Sequence, residues 1–288
     1  MKLGKYTYNS GVVELNKRFS NGLAFNGNLV WAKIMSLNGT GIDPRNWSAQ
    51  RTPGGQKFTW KASGTYELPF GRGKKFLNAT SGVAGVVDKI IGNWQYGAIF
   101  TLNSGSYLSF TCTGNPIGGS TDPCTSLQPM GSDPGKVIRT GNGVVYYNPS
   151  QFSQVKDPYC TSITNQFNLQ SRCTDLAIQY NGSILFQNSS LGQVGTMDSV
   201  SNWKGPSLFN LDMNLVKRFT IKEKITAEFR LDAISATNTP HFPNPTTNIN
   251  STSFGRITAP SSGGSNSFTT PAVFYGNRVY VANLRISF

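Results

Sequence analysis

The sequence predicts an all-β protein, an antiparallel transmembrane β-barrel that is incomplete, with about seven long strands. Three observations predict it: apolar residues recur with a period of two over unusually long segments, charge is sparse while aromatics are plentiful, and the connections alternate between shorter and longer. The chain has 288 residues, of which 38% are hydrophobic, 12% aromatic and 14% charged. Its 18 Phe, 11 Tyr and 5 Trp argue against intrinsic disorder, because disordered chains are poor in such residues. Neither a glycine period nor a sustained heptad is present, which excludes collagen-like and coiled-coil folds. No run of 18 apolar residues occurs, so helices that cross a membrane are not expected.

An opening strand covers about Lys5 to Phe19. In the next, Leu23, Phe25, Gly27, Leu29 and Trp31 share one face against Ala24, Asn26, Asn28 and Ala32, with Val30 as the apolar exception. Phe58, Trp60, Ala62, Gly64, Tyr66 and Leu68 then alternate with Lys57, Thr59, Lys61, Ser63, Thr65 and Glu67. The pattern returns in Trp94, Tyr96, Ala98, Phe100 and Leu102, and in Phe209, Leu211, Met213 and Leu215, which interleave with Asn210, Asp212 and Asn214. Ile225, Ala227, Phe229, Leu231 and Ala233 oppose Thr226, Glu228, Arg230 and Asp232. The last strand sets Tyr280, Ala282, Leu284, Ile286 and Phe288 against Val281, Asn283, Arg285 and Ser287.

Length is the telling feature. Ordinary strands run to about 5–6 residues, whereas a tilted strand that crosses a bilayer needs about 9–11. A long apolar face invites aggregation in water. In a bilayer it is required, because the backbone pairs around a closed barrel, with apolar side chains toward lipid and polar ones toward the lumen. The alternative, a soluble β-sandwich, would bury the same apolar faces as its core.

The connections give a second test. Ser20-Asn21-Gly22 is a tight turn, 38–56 is longer, 70–92 is medium, 112–206 is very long, 220–224 is tight and 237–277 is long. Outer-membrane barrels alternate in this way, with short periplasmic turns and long extracellular loops. The whole of 1–288 is then barrel, with a long extracellular loop over about 111–206 and a second over about 237–277. Bacterial single-chain barrels have an even number of strands, so seven strands lead to the expectation of a truncated polypeptide, the C-terminal portion of a larger barrel without its plug. No signal peptide is visible after Met1, which implies either a cytosolic protein or an N-terminus that is not the natural one.

The formal net charge of +13 would suit a nucleic-acid partner. Lys17, Arg18, Arg72, Lys74, Lys75, Lys89, Lys217, Arg218, Lys222 and Lys224 are instead scattered near the proposed periplasmic ends, unlike one reading stripe, and no nucleic acid is expected. The charged residues Lys57, Lys61, Glu67, Asp212, Glu228, Arg230 and Asp232 are expected to face the lumen, touching a plug or neighbouring strands rather than substrate. The four cysteines form no CxxC, so zinc is not expected. Local disulfides Cys112 with Cys124 and Cys160 with Cys173 would staple a loop in an oxidising compartment, against free buried thiols as the alternative. The single His241 rules out a His-rich metal site. It could pair with a serine, as in phospholipase barrels, but it stands at a Pro-flanked loop start. Gly71-Arg-Gly-Lys-Lys lacks the spacing of a phosphate loop. No catalytic residue, metal or cofactor is therefore expected. Residues 111–202, rich in Gly, Ser, Thr, Asn and Tyr, would suit sugars or peptides, and equally a loop that only covers the pore.

A resemblance rests on an ordered set of motifs: Tyr66-Glu-Leu-Pro-Phe-Gly-Arg-Gly-Lys-Lys-Phe76, Ile91-Gly-Asn-Trp-Gln95 and Gly205-Pro-Ser-Leu-Phe-Asn-Leu-Asp-Met-Asn-Leu-Val-Lys-Arg-Phe219. Glu228-Phe-Arg-Leu-Asp-Ala233, Asn238-Thr-Pro-His-Phe242, Phe254-Gly-Arg-Ile257 and the closing Arg278-Val-Tyr-Val-Ala-Asn-Leu-Arg-Ile-Ser-Phe288 continue it. Together they resemble the C-terminal part of TonB-dependent outer-membrane transporters of the Oar-like type. The terminal residues Tyr280, Leu284, Ile286 and Phe288 are similar to the signal read by the barrel-assembly machinery, and would also suit a lipid-facing edge. The resemblance implies a barrel of about twenty-two strands, a plug, and coupling to TonB through an N-terminal part that this sequence lacks, the ligand being unspecified. Outer-membrane lipid and the barrel-assembly machinery are the other implied partners. The competing readings are a secreted or surface β-sandwich that binds carbohydrate, and a self-standing porin or adhesin of fewer strands.

Overall fold

A computed structural model describes residues 5–37, 52–71, 73–76, 82–112, 125–126, 131–158, 160, 174–188, 203–222, 225–258 and 276–288. The chain begins with β1 (Lys5–Ser20), β2 (Leu23–Leu37), β3 (Thr52–Gly54), β4 (Phe58–Glu67), α1 (Gly82–Ile91) and β5 (Trp94–Asn103). Six short strands follow: β6 (Thr125–Ser126), β7 (Ile138–Thr140), β8 (Gly143–Val145), β9 (Phe152–Lys156), β10 (Leu176–Tyr180) and β11 (Ser183–Gln187). The chain returns to long strands with β12 (Leu208–Lys222) and β13 (Ile225–Ile234), then passes through β14 (Arg256–Ile257) to β15 (Val279–Ser287).

All seven long strands expected from the alternation are present. They pair antiparallel in the order β1-β2-β4-β5-β12-β13-β15, with β3 added beside β2. Among the described residues β1 and β15 do not pair with each other, so the sheet is an open, incomplete barrel. Cross-strand register aligns the faces. Val13, Leu29, Trp60, Leu102 and Phe209 lie in one lateral rank, and Glu14, Asn28, Lys61, Thr101 and Asn210 in the rank of the opposite face. On the apolar face Phe100 packs edge-on against Trp60 at 4.7 Å and Phe209 at 5.6 Å. No described sheet covers that face. Trp31 is 61% exposed and Leu284 66%, so the oily side chains are not the core of a sandwich.

The alternation of connections also holds in space. Glu67 N–H donates to the Gly22 carbonyl, which places the end of β4 beside the β1–β2 turn. Asn21 (φ 52°) and Gly22 (φ 79°) both occupy the left-handed region, the conformation that a two-residue hairpin turn compatible with strand twist requires. The strand ends joined through the β1–β2 and β12–β13 turns and through 68–93, with the C-terminal end of β15, lie at this edge; the strand ends joined through 38–57, 104–207 and 235–278 lie at the other.

Two features depart from the sequence reading. The 68–93 connection, read only as a medium turn, carries α1. The described parts of the two long loops, read as separate, pack into one cap. Strand β14 of the second loop pairs with β8 of the first through Arg256–Val145 and Ile257–Val144, and β7 completes that sheet. The order β6-β11-β10-β9 forms another small sheet. Leu108, Phe110, Tyr146, Tyr147, Phe152, Ile178, Leu185, Phe186, Trp203 and Ile249 pack into a buried core here, with Phe110 and Phe186 rings 4.7 Å apart. Composition alone hid this because the core residues are spaced widely among Gly, Ser and Asn.

Candidate functional site: the polar face and the cap

Antiparallel pairing assembles the polar face from side chains that are distant in sequence. Glu67 is opposite Gln95, Lys61 is opposite Asn28 and Thr101, and Asp212 is opposite Ile99. Arg218, Glu228 and Arg285 lie in one rank across β12, β13 and β15. Arg218 Nε donates to Glu228 Oε2 at 2.7 Å, and Arg230 Nε donates to both carboxylate oxygens of Asp232 at 2.8 and 2.9 Å. Glu67 pairs with Lys74 from the following turn. Asp212 Oδ1 accepts the backbone N–H of Ser235 at 2.8 Å, which fixes the end of β13 against β12. On this face a shallow concavity is lined by Asn16, Asn26, Ser63, Thr65, Ile99 and Asn214. Gly97 makes room for it, since a Cβ there would lie 2.6 Å from Asn214 Oδ1.

Lys57 stands apart from this row. It precedes β4 in a bend, and its Nζ lies 5.4 Å from the centroid of Trp31, a side chain of the apolar face. The regular alternation that grouped Lys57 with Lys61 and Glu67 ends at Phe58. The terminal positions Tyr280, Leu284 and Ile286 oppose Ala233, Phe229 and Ala227 on the apolar face. All three are exposed, and Phe288, just past β15, is 95% exposed.

Lys217 lies on the apolar face, in rank with Trp94 and Phe229, yet it is only 6% exposed. Its Nζ donates to the carbonyls of Ile90 at 2.7 Å and Gly92 at 2.8 Å and lies 4.9 Å from the Trp94 ring. It thereby caps the C-terminal carbonyls of α1, which have no partner within the helix. The Gly71 turn is closed on its own backbone: Gly71 N–H donates to the Phe76 carbonyl and Phe76 N–H to the Pro69 carbonyl.

The cap holds a buried polar network that sequence reasoning missed. Asp157 is fully buried and Asn188 1% exposed. Asp157 Oδ2 accepts from the backbone N–H and the Nδ2 of Asn188, both at 2.7 Å. Asn250 Nδ2 donates to Asn188 Oδ1 at 2.8 Å, and Asn250 Oδ1 accepts Leu176 N–H at 2.7 Å. The network thus ties the second long loop to the first. Burial, and then the Asp157 charge, push the Asp175 carboxyl above its usual range. Nothing in the spacing of these common loop residues signalled it.

Cys112 and Cys160 are buried, and neither is a free thiol; their expected partners Cys124 and Cys173 lie outside the described residues. His241 Nε2 lies 3.2 Å from the Phe209 carbonyl oxygen, a contact between the second loop and the start of β12. Among the described residues no three His, Cys, Asp or Glu side chains gather as a metal site.

No curated protein and no solved structure matches the chain. The model of the outer membrane beta barrel domain family matches residues 1–269, which is most of the chain. With the open sheet of membrane-length strands and its uncovered apolar face, this match places the chain in the outer membrane beta barrel domain family and in the bacterial outer membrane.

Proposed function

We propose that this chain is the C-terminal barrel part of a TonB-dependent outer-membrane receptor, which imports a large nutrient or ligand. The observation that carries the reading is the division of labour between the two sheet edges. The shorter connections close one edge, while the described parts of the two long loops pack together into a single cap at the other. In this reading the capped end is extracellular and supplies ligand contacts. The polar face, with Lys61, Glu67, Asp212, Glu228, Arg230 and Asp232, looks into the lumen and meets a plug domain. The residues act by binding and positioning, and none is catalytic. Cys112–Cys124 and Cys160–Cys173 disulfides brace the cap outside the cell, where oxidation persists. Tyr280, Leu284, Ile286 and Phe288 present the assembly signal to the barrel-assembly machinery.

The test reads the gene upstream of Met1 and crosslinks the chromosomally encoded protein in living cells, with an epitope at the exposed Gly141–Asn142 tip. The expected result is an open frame encoding a plug and coupling box, together with a crosslink to TonB that requires that box. A stop codon immediately upstream and no TonB adduct would favour a self-standing porin or adhesin instead.

A further inference from the structure

At the capped edge of the sheet, aromatic rings and ammonium groups alternate along one lateral row. Trp31 stands on β2, Lys57 just before β4, Tyr107 just after β5 and Lys204 just before β12. The backbone brings these segments side by side: Gln56 bridges Ser106, Tyr107 bridges Lys204, and Tyr107 N–H donates to the Gly55 carbonyl at 3.4 Å. Lys57 Nζ lies 5.4 Å from the Trp31 centroid and Lys204 Nζ 5.1 Å from the Tyr107 centroid. Lys33 is exposed and shares the face of Trp31, two residues along β2. The pairing recurs at the start of the last strand, where the guanidinium of Arg278, just before β15, lies 5.5 Å from the Tyr280 ring.

Among the described residues none of these lysines forms a salt bridge. Asp133 is the carboxylate that acts on Lys204, and its oxygens already accept backbone N–H groups, Oδ1 from Gly135 at 2.8 Å and Oδ2 from Lys204 at 2.7 Å. Burial, and then the neighbouring Lys57 charge, hold the Lys204 ammonium below the usual lysine range, with Asp133 opposing. The row therefore gathers positive charge at the level where the apolar face ends. Interfacial aromatics and basic clusters at that level are suited to anionic headgroups, and lysine binds phosphate as a point charge.

We propose that the Trp31–Lys57–Tyr107–Lys204 row, with Lys33 beside it, docks the phosphate groups of a membrane lipid at the capped rim of the barrel. This rests on the transmembrane reading and on the capped edge lying at the membrane surface. The rings cover the glycolipid or acyl boundary, and the ammonium groups bridge the phosphate oxygens.

The full chain, extracted in dodecyl maltoside, is titrated with diphosphoryl lipid A in mixed micelles and bound lipid is counted by native mass spectrometry. Wild type should retain lipid A but not phosphatidylcholine, and millimolar inorganic phosphate should compete poorly. Lys57→Gln with Lys204→Gln should weaken retention about tenfold or more, Lys57→Arg with Lys204→Arg should restore it, and Lys75→Gln at the opposite edge should change nothing. Heat-shifted gel mobility verifies that each variant is folded. Equal retention by wild type and the glutamine pair, or equal uptake of phosphatidylcholine, would overturn the site. A chain that stays monodisperse without detergent would overturn the transmembrane reading itself, before any lipid is added.

Discussion

Leu211 and Asp212 are adjacent in β12 and belong to opposite faces. Leu211 is in rank with Phe100, Ala62 and Gly27, deep in the apolar side. Leu211→Arg brings a charge to that side near mid-strand and should cost about 2–4 kcal/mol. Asp212→Asn keeps an oxygen that can accept the Ser235 N–H and loses only the charge-assisted part of that bond, a cost of about 1 kcal/mol. Urea midpoints of the heat-shifted folded band in lipid vesicles measure both, and equal penalties would contradict the facing assignment. At this scale period two was enough to assign most positions, because a strand residue has only two directions to point. It misplaced Lys57, where a bend ends the strand, and it said nothing of why Lys217 stands among apolar side chains. The answer for Lys217 lies in a helix contributed by residues more than a hundred positions away.

Strand elements were legible because membrane-length alternation leaves few competing explanations, and each predicted long strand is found. α1 was not. Its Gly82-Val-Ala-Gly-Val-Val-Asp-Lys-Ile-Ile91 stretch is short and rich in glycine and valine, weak helix formers, so its stability has to come from tertiary contacts. Lys217 supplies two of them, and Trp94 Nε1 donates a third to the Ile90 carbonyl at 3.1 Å. Lys217→Met keeps the length and apolar stem but removes both ammonium bonds. It should destabilise the helix-bearing turn by about 1–3 kcal/mol while leaving the seven-stranded sheet folded. Limited proteolysis checks this, with cleavage within 77–93 rising and the heat-shifted band unchanged. If the sheet melts together with the turn, α1 is integral to the barrel wall rather than fastened to it.

On the scale of the whole molecule, a sheet with an exposed apolar face and a cap with its own aromatic core form two kinds of structure, one stabilised by lipid and the other by burial. The cap was unreadable from sequence because its core is long-range: Ile249 and Phe254 come from one loop, Phe110, Tyr147 and Phe186 from the other. Its stability should depend on pH. Burial, and then the Asp133 charge, raise the phenols of Tyr146 and Tyr147 above the ordinary tyrosine range, with Tyr146 adding to the effect on Tyr147. Tyr146 has a donor's outlet, its hydroxyl reaching the Lys204 carbonyl at 2.6 Å, while the buried Tyr147 hydroxyl has no partner among the described residues. A phenol whose proton is held more tightly in the folded state contributes stability that is fully present below the unfolded value of about 10. That contribution is lost as pH rises beyond it, because the unfolded cap then releases protons that the folded cap retains. Ultraviolet titration should therefore show a late, cooperative step as the cap opens and Tyr146 and Tyr147 ionise, with the heat-shifted barrel band persisting. Tyr147→Phe removes the unpaired hydroxyl, shrinks the late step and stabilises the cap by about 1 kcal/mol. A single smooth transition for all tyrosines, unaltered in the Tyr147→Phe variant, would mean that the two loops do not share a closed core.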